Sequence, residues 1–169
     1  MPAGMHTSVS ATQANADAGP RFSGYKGPHM LATAEYQVRV FIEDTDASGV
    51  VYHANYLRFM ERARTEMMRS LGIEQSATFE HEVAFVVHSA QMRFLRGARL
   101  DDLLRIETAV DNVRAASLVF HQVVRLRSGE PACEAQVRVA CVHLKTHRAR
   151  RIPTELMALM GATKQLPSG

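Results

Sequence analysis

The feature that most limits what this chain can fold into is a single change of hydrophobic period near Val51. Upstream, Tyr36-Gln37-Val38-Arg39-Val40-Phe41-Ile42-Glu43 alternates, placing Val38, Val40 and Ile42 on one face as in a half-buried strand. Downstream, Tyr56, Met60, Ala63, Met67 and Leu71 recur every three or four residues, and Arg58, Glu61, Arg62, Glu66 and Arg69 occupy other positions. That spacing predicts one helix of about five turns, with Asn55 as a candidate N-cap and Gly72 at its stop. The remainder reads mostly as strand: Val83 to Phe94, Leu103 to Val110, Ser117 to Leu126 and Cys133 to Leu144. Turn material separates these runs, and a short helix is expected from Pro153 to Met160. One strand, one long helix and about four strands with short connections make an α+β domain, a helix against one face of an antiparallel sheet. Such a sheet leaves an edge strand and part of the helix uncovered, so a symmetric dimer is the default expectation.

The 169 residues suit one domain, and 46% hydrophobic with 22% charged residues is an ordinary globular balance. Residues 1–30 are rich in Ala, Gly, Ser and Thr and lack the apolar stretch of a secretory signal. They are expected to form a disordered extension, leaving 31–169 as the folded domain. No run approaches the roughly 18 apolar residues of a membrane span. A net charge of +3 can favour a phosphorylated cofactor or an acidic protein but falls short of a nucleic-acid-binding signature. Basic residues gather at Arg93, Arg96 and Arg99, and again at Lys145, His147, Arg148, Arg150 and Arg151. Cys133 and Cys141 share one expected strand, about 26 Å apart at its rise per residue. A disulfide needs Cα atoms within about 7 Å, so two free thiols are expected, which suits a reducing cytoplasm.

The chemistry concentrates between the first strand and the helix. Asp44-Thr45-Asp46-Ala47-Ser48-Gly49-Val50-Val51-Tyr52-His53-Ala54-Asn55-Tyr56 brings two carboxylates, a glycine, a histidine and an asparagine into one loop, where scaffolds often present reactive groups. The free N–H groups of the coming helix favour negative charge nearby. By pattern alone such acidic residues are more often caps and turn-formers than catalysts. Cys141, His143 and His147 lack the partner spacing of a zinc site, and no metal is expected.

The run Asp44-Thr45-Asp46-Ala47-x-Gly49-Val50-Val51-Tyr52-His53-Ala54-Asn55-Tyr56-Leu57, followed by Phe59-x-Glu61-Arg62-Ala63-Arg64-Thr65-Glu66, closely resembles the Tol-Pal-associated acyl-CoA thioesterases (YbgC type) of the wider 4-hydroxybenzoyl-CoA thioesterase group. Val83-Ala84-Phe85-Val86-Val87, Ala98-Arg99-Leu100-Asp101-Asp102 and Arg151-Ile152-Pro153 extend the likeness. The resemblance implies the hotdog fold, a curved antiparallel sheet wrapped around one long helix, in homodimers that often pair into homotetramers with active sites between subunits. It implies hydrolysis of an acyl-CoA without a cofactor, with an acyl carrier protein as an alternative acyl donor. It makes Asp46 the catalytic carboxylate, as nucleophile or general base, and His53 its assistant. Backbone amides near Ala84 and Phe85, where related enzymes use a glycine, and at the start of the long helix become candidate oxyanion donors. Tyr52 and Asn55 are expected to fix the loop, with substrate contact as the lesser alternative, and Asp44 to accept an Asx-turn bond. Ser48 stands where glycine is common. The rival functions are hydration or dehydration of acyl thioesters, which the Asp-Thr-Asp loop disfavours, and a non-catalytic role binding a carrier protein or an envelope complex.

Overall fold

In the computed structural model, residues 31–73 and 75–161 are described. The extension expected over residues 1–30 lies outside them. Strand β1 (Ala32–Arg39) leads through a 3₁₀ turn (Ile42–Asp44) to helix α1 (His53–Ser70) and a short helix α2 (Gln75–Glu80). Strands β2 (Val83–Phe94), β3 (Leu103–Arg114), β4 (Ser117–Arg125) and β5 (Pro131–His143) follow, then helix α3 (Thr154–Leu159). The strands form one antiparallel sheet in the order β1-β3-β4-β5-β2. This is the hotdog arrangement that the resemblance implies.

Alternation along the strands decides which face α1 covers. Leu104, Ile106, Val110, Leu118, Phe120, Val124, Val137, Val139 and Cys141 point into one core with Tyr56, Phe59, Met60, Ala63 and Met67 of α1. The methionines at 60 and 67 are fully buried filling, as flexible thioethers are elsewhere. Leu71 is its C-cap, and Gly72 follows at φ 78°, the left-handed position where a helix gives way to a turn.

Three details depart from the sequence reading. The first strand ends at Arg39, and Ile42 is 73% exposed because the 3₁₀ turn rotates it off the strand's inner face. Helix α1 starts at His53 with Tyr52 as its N-cap residue, so Asn55 is not the cap; its side chain is committed elsewhere. Helix α2 was not visible as periodicity, being only 6 residues long.

One polar cluster sits inside the core. Gln122 is fully buried, and its Nε2 donates to the Met60 carbonyl and to Thr108 Oγ1, both at 2.9 Å. Its Oε1 accepts from Arg64 Nη1 at 2.7 Å. A buried amide is tolerable because each of its polar atoms is bonded. Gln122→Leu strands the Arg64 donor and should lower unfolding free energy by about 1–3 kcal/mol, measured by urea denaturation.

Candidate functional site

The Asp44–Asn55 segment is held by the first of its two carboxylates. Asp44 is 7% exposed; its Oδ2 accepts from the Phe41 N–H (2.9 Å) and its Oδ1 from Asn55 Nδ2 (3.2 Å). Its carbonyl accepts from the Tyr52 N–H at 2.8 Å, so one residue joins the entry of the loop to the start of α1. Asp44 is thus structural as expected, though its bonds close the 3₁₀ turn and fix the helix start, whereas the Asx-type bond belongs to Asp46.

Asp46 sits at the tip. Its N–H donates to the Val50 carbonyl (3.0 Å), its carbonyl accepts from the Gly49 N–H (2.9 Å), and its Oδ1 accepts from the Ser48 N–H (2.8 Å). Gly49 has a φ of 74°, a left-handed conformation that other residues resist. The result is a tight turn, closed by a Thr45–Val51 bridge, that exposes the Asp46 carboxylate to solvent. One oxygen is oriented by the turn, and Oδ2 has no bond to a described residue.

The turn leans on a second loop that the sequence reading treated only as a turn. The Val51 N–H donates to the Ala98 carbonyl at 2.8 Å. Tyr56 is 3% exposed; its hydroxyl accepts from the Ala98 N–H (3.2 Å) and donates to the Arg96 carbonyl over a long 3.5 Å. Burial, foremost, pushes the phenol above its ordinary value, so it stays a neutral bridge. Gly97 lies so near Val50 that a Cβ there would come within 2.8 Å of Val50 Cγ1. Tyr56 counted in the sequence as an ordinary core residue; a tyrosine where the buried face needs only a hydrophobe was the signal of a bonded hydroxyl.

His53 opens α1, exposed, with its ring 4.4 Å from Tyr52 and edge-on to Phe94 at 6.2 Å. The N–H groups of such a first turn have no helical carbonyl to bond. Tyr52 is 45% exposed beside it, and Asn55 is buried against Asp44, a placement that fits a loop-fixing role.

Ala84 and Phe85 lie elsewhere. They begin β2, whose other end, Phe94, touches the His53 and Tyr56 rings. Phe94 lies nine residue steps along β2 from Phe85, up to about 30 Å, so Ala84 and Phe85 lie at the end of β2 away from the His53 and Tyr56 rings. Ala84 and Phe85 instead border a cavity of about 420 Å³ between the later turns of α1, α2 and the sheet. Its floor is apolar, including Phe85, Leu118, Phe120 and Val139; its helix wall carries Glu61, Arg64, Thr65 and Arg69.

Cys133 and Cys141 are free and buried, and burial pushes the Cys133 thiol up to about 12. Among the described residues no group of three or more His, Cys, Asp or Glu side chains is placed to share a metal, and no helix is long and apolar enough to cross a membrane.

Sequence and structure comparisons point one way. The thioesterase-like superfamily matches residues 40–160. The acyl-CoA thioester hydrolase YbgC of Escherichia coli O6:H1 is 44% identical over 73% of this chain and 92% of its own length. The acyl-CoA thioesterase YbgC of Haemophilus influenzae is likewise 44% identical, over 73% and 90%. A crystal structure of a probable thioesterase from Bartonella henselae superposes with a TM-score of 0.67 at 35% identity, covering 72% of this chain and all of that one.

The two aspartates should separate cleanly. Asp44→Ala removes two side-chain hydrogen bonds and orphans Asn55, and should cost about 1–3 kcal/mol of stability. Asp46→Ala, on an exposed tip, should stay within about 0.5 kcal/mol; urea denaturation measures both. Gly97→Ala forces Val50 aside and should cost about 1–3 kcal/mol in the same experiment.

Proposed function

The chain belongs to the thioesterase-like superfamily, and from that premise we propose that it hydrolyses an acyl-CoA thioester to a carboxylate and free CoA, with Asp46 as the catalytic carboxylate. The observation that carries this reading is the contrast within the loop: Asp44 is buried and saturated with hydrogen bonds, while Asp46 is held by a single oxygen at an exposed tip. A carboxylate fixed at one oxygen keeps the other available for chemistry.

Asp46 either attacks the thioester carbonyl carbon, forming a mixed anhydride that water then opens, or removes a proton from water that attacks in its place. In both routes a tetrahedral oxyanion forms, collapses with cleavage of the C–S bond, and releases CoA as a thiolate that takes up a proton. The first-turn N–H groups of α1 and the backbone near Ala84 are the candidate donors to the oxyanion. His53, at the head of α1, is suited to polarise the carbonyl or supply the thiolate's proton.

The distance between Asp46 and Ala84 supports a site built from two chains. Strand β2 is a sheet edge of 12 residues that exposes Val86 (39%), Val87 (52%) and Phe94 (52%). Antiparallel pairing of two β2 strands about their midpoints would cover this edge and set Ala84–Phe85 of one subunit against the Phe94 end of its partner. Asp46 of one subunit then faces the cavity of the other. We therefore read the working unit as a homodimer, with a tetramer as a further pairing. Buried free thiols favour a reducing, cytoplasmic setting, and the exposed Arg96 and Arg99 offer charge to CoA phosphates or an acidic carrier protein.

Thiol release can be followed with a chromogenic thiol reagent, since both cysteines are shielded in the folded protein. Wild type should release CoA from acyl-CoAs, Asp46→Asn should lose about 10²–10⁴-fold in kcat with an unchanged circular dichroism spectrum, and light scattering should give at least a dimeric mass. Near-wild-type turnover by Asp46→Asn would remove Asp46 from the mechanism.

A further inference from the structure

Of the three charged residues on the helix wall of the cavity, Glu61, Arg64 and Arg69, Arg64 alone is buried, and the hydrolytic chemistry does not use it. Arg64 is 6% exposed and borders the cavity. It lies four residues after Met60 and three before Met67, on the buried face of α1. Its guanidinium is fixed from three sides: Nη1 donates to Gln122, Nη2 pairs with Glu61, and the group lies over the Phe120 ring with its central carbon 5.9 Å from the centroid. Gln122 is itself locked by Met60 and Thr108. Arg64 is therefore positioned before any ligand arrives, and no rotamer change is needed to present it.

A guanidinium carries more N–H groups than these bonds use. Among the described residues only Gln122 and Glu61 accept from Arg64. A plain alkyl chain filling the cavity would leave the remaining donors against hydrocarbon, which is unfavourable for any buried polar group and more so for a charged one. An oxygen acceptor on the ligand removes that penalty. Its charge also follows from the surroundings: Glu61 already neutralises Arg64, so a neutral oxygen suits the wall better than a second carboxylate. The apolar floor of Phe85, Leu118, Phe120 and Val139 takes the carbon chain that carries it.

We infer that the cavity selects acyl groups bearing a neutral oxygen, a hydroxyl or a ketone, towards their far end, and that Arg64 is the residue that reads it. The inference rests on the acyl-thioester reading above for the kind of ligand. It goes beyond that reading in naming the acyl class and the side chain that selects it.

The test uses non-hydrolysable thioether analogues of hexanoyl-CoA and of its hydroxy and oxo derivatives, the oxygen placed in turn at each carbon beyond the β position. Binding to the wild-type protein is measured by calorimetry, beside thiol release from the corresponding thioesters. At least one oxygenated analogue should bind about tenfold or more tighter than the plain chain, the size expected of a hydrogen bond from a charged donor. Arg64→Met, with native circular dichroism, should erase that preference, and Arg64→Lys, which keeps the charge without the planar fork, should weaken it. Equal binding of plain and oxygenated chains to the wild type overturns the inference without reference to any variant. A preference that survives in Arg64→Met overturns the role of Arg64. Selective binding without thiol release from any thioester would uphold the inference and contradict the hydrolase reading instead.

Discussion

An apolar helix stripe must be covered on one side, and here one curved sheet supplies most of that cover. Tyr56, Phe59, Met60, Ala63 and Met67 of α1 bury in one core with the inward residues of the sheet, the helix lying against β1, β3 and β4. Burial of this kind supplies most of the stability of a small domain. It also sets the direction of every functional group, because α1 runs about 27 Å for its 18 residues. The head of the helix lies with the Asp46 turn, and its later turns wall the cavity. A one-sheet domain thereby separates the exposed Asp46 carboxylate from the cavity beside the later turns of α1, and leaves β2 as an open edge where the proposed second chain would reunite them.

The loop at the head of α1 is stabilised by residues other than those proposed to react. Asp44, Asn55, Tyr56 and Gly97 spend their hydrogen bonds or their lack of a side chain on fixing the path of the backbone. Asp46 contributes one oxygen to its own turn and holds the other toward solvent. Rigid support around an exposed group is the arrangement that positioning requires, since catalysis loses much of its advantage when a reacting atom drifts by an ångström.

Much of this was legible in the sequence because it rests on periodicity. The change from alternation at Val38 and Val40 to helical spacing at Tyr56, Met60 and Ala63 located the helix and its buried face, and the later alternations located the sheet. The acidic loop stood out through its residue types, and its likeness to known thioesterases ranked Asp46 above Asp44. What stayed hidden depends on contacts distant in sequence. The residue type of Tyr56 signals a bonded hydroxyl but nothing local names Arg96 and Ala98 as its partners, and Gly97 reads as a turn until Val50 is seen against it. Arg64 could have been noticed, for it falls at buried-face spacing between Met60 and Met67, but its partner Gln122 lies two strands away. Ile42 misled because alternation continues in the letters after the 3₁₀ turn has ended the strand. The placement of Ala84 far from Asp46 is a matter of strand length, which motif matching does not report.

The central claim is that Asp46 of one subunit serves the cavity of its partner. Mixed dimers test it directly: chains carrying Asp46→Asn are co-expressed with chains carrying Thr65→Trp, which blocks the cavity from the exposed helix wall, and thiol release is measured on the mixture. Each variant alone should be inactive. With random assortment into two-fold dimers, the mixture should recover about a quarter of wild-type activity, because each mixed dimer then holds one site free of both substitutions. No recovery in demonstrably mixed dimers would contradict the account, since carboxylate and cavity would then have to belong to the same chain.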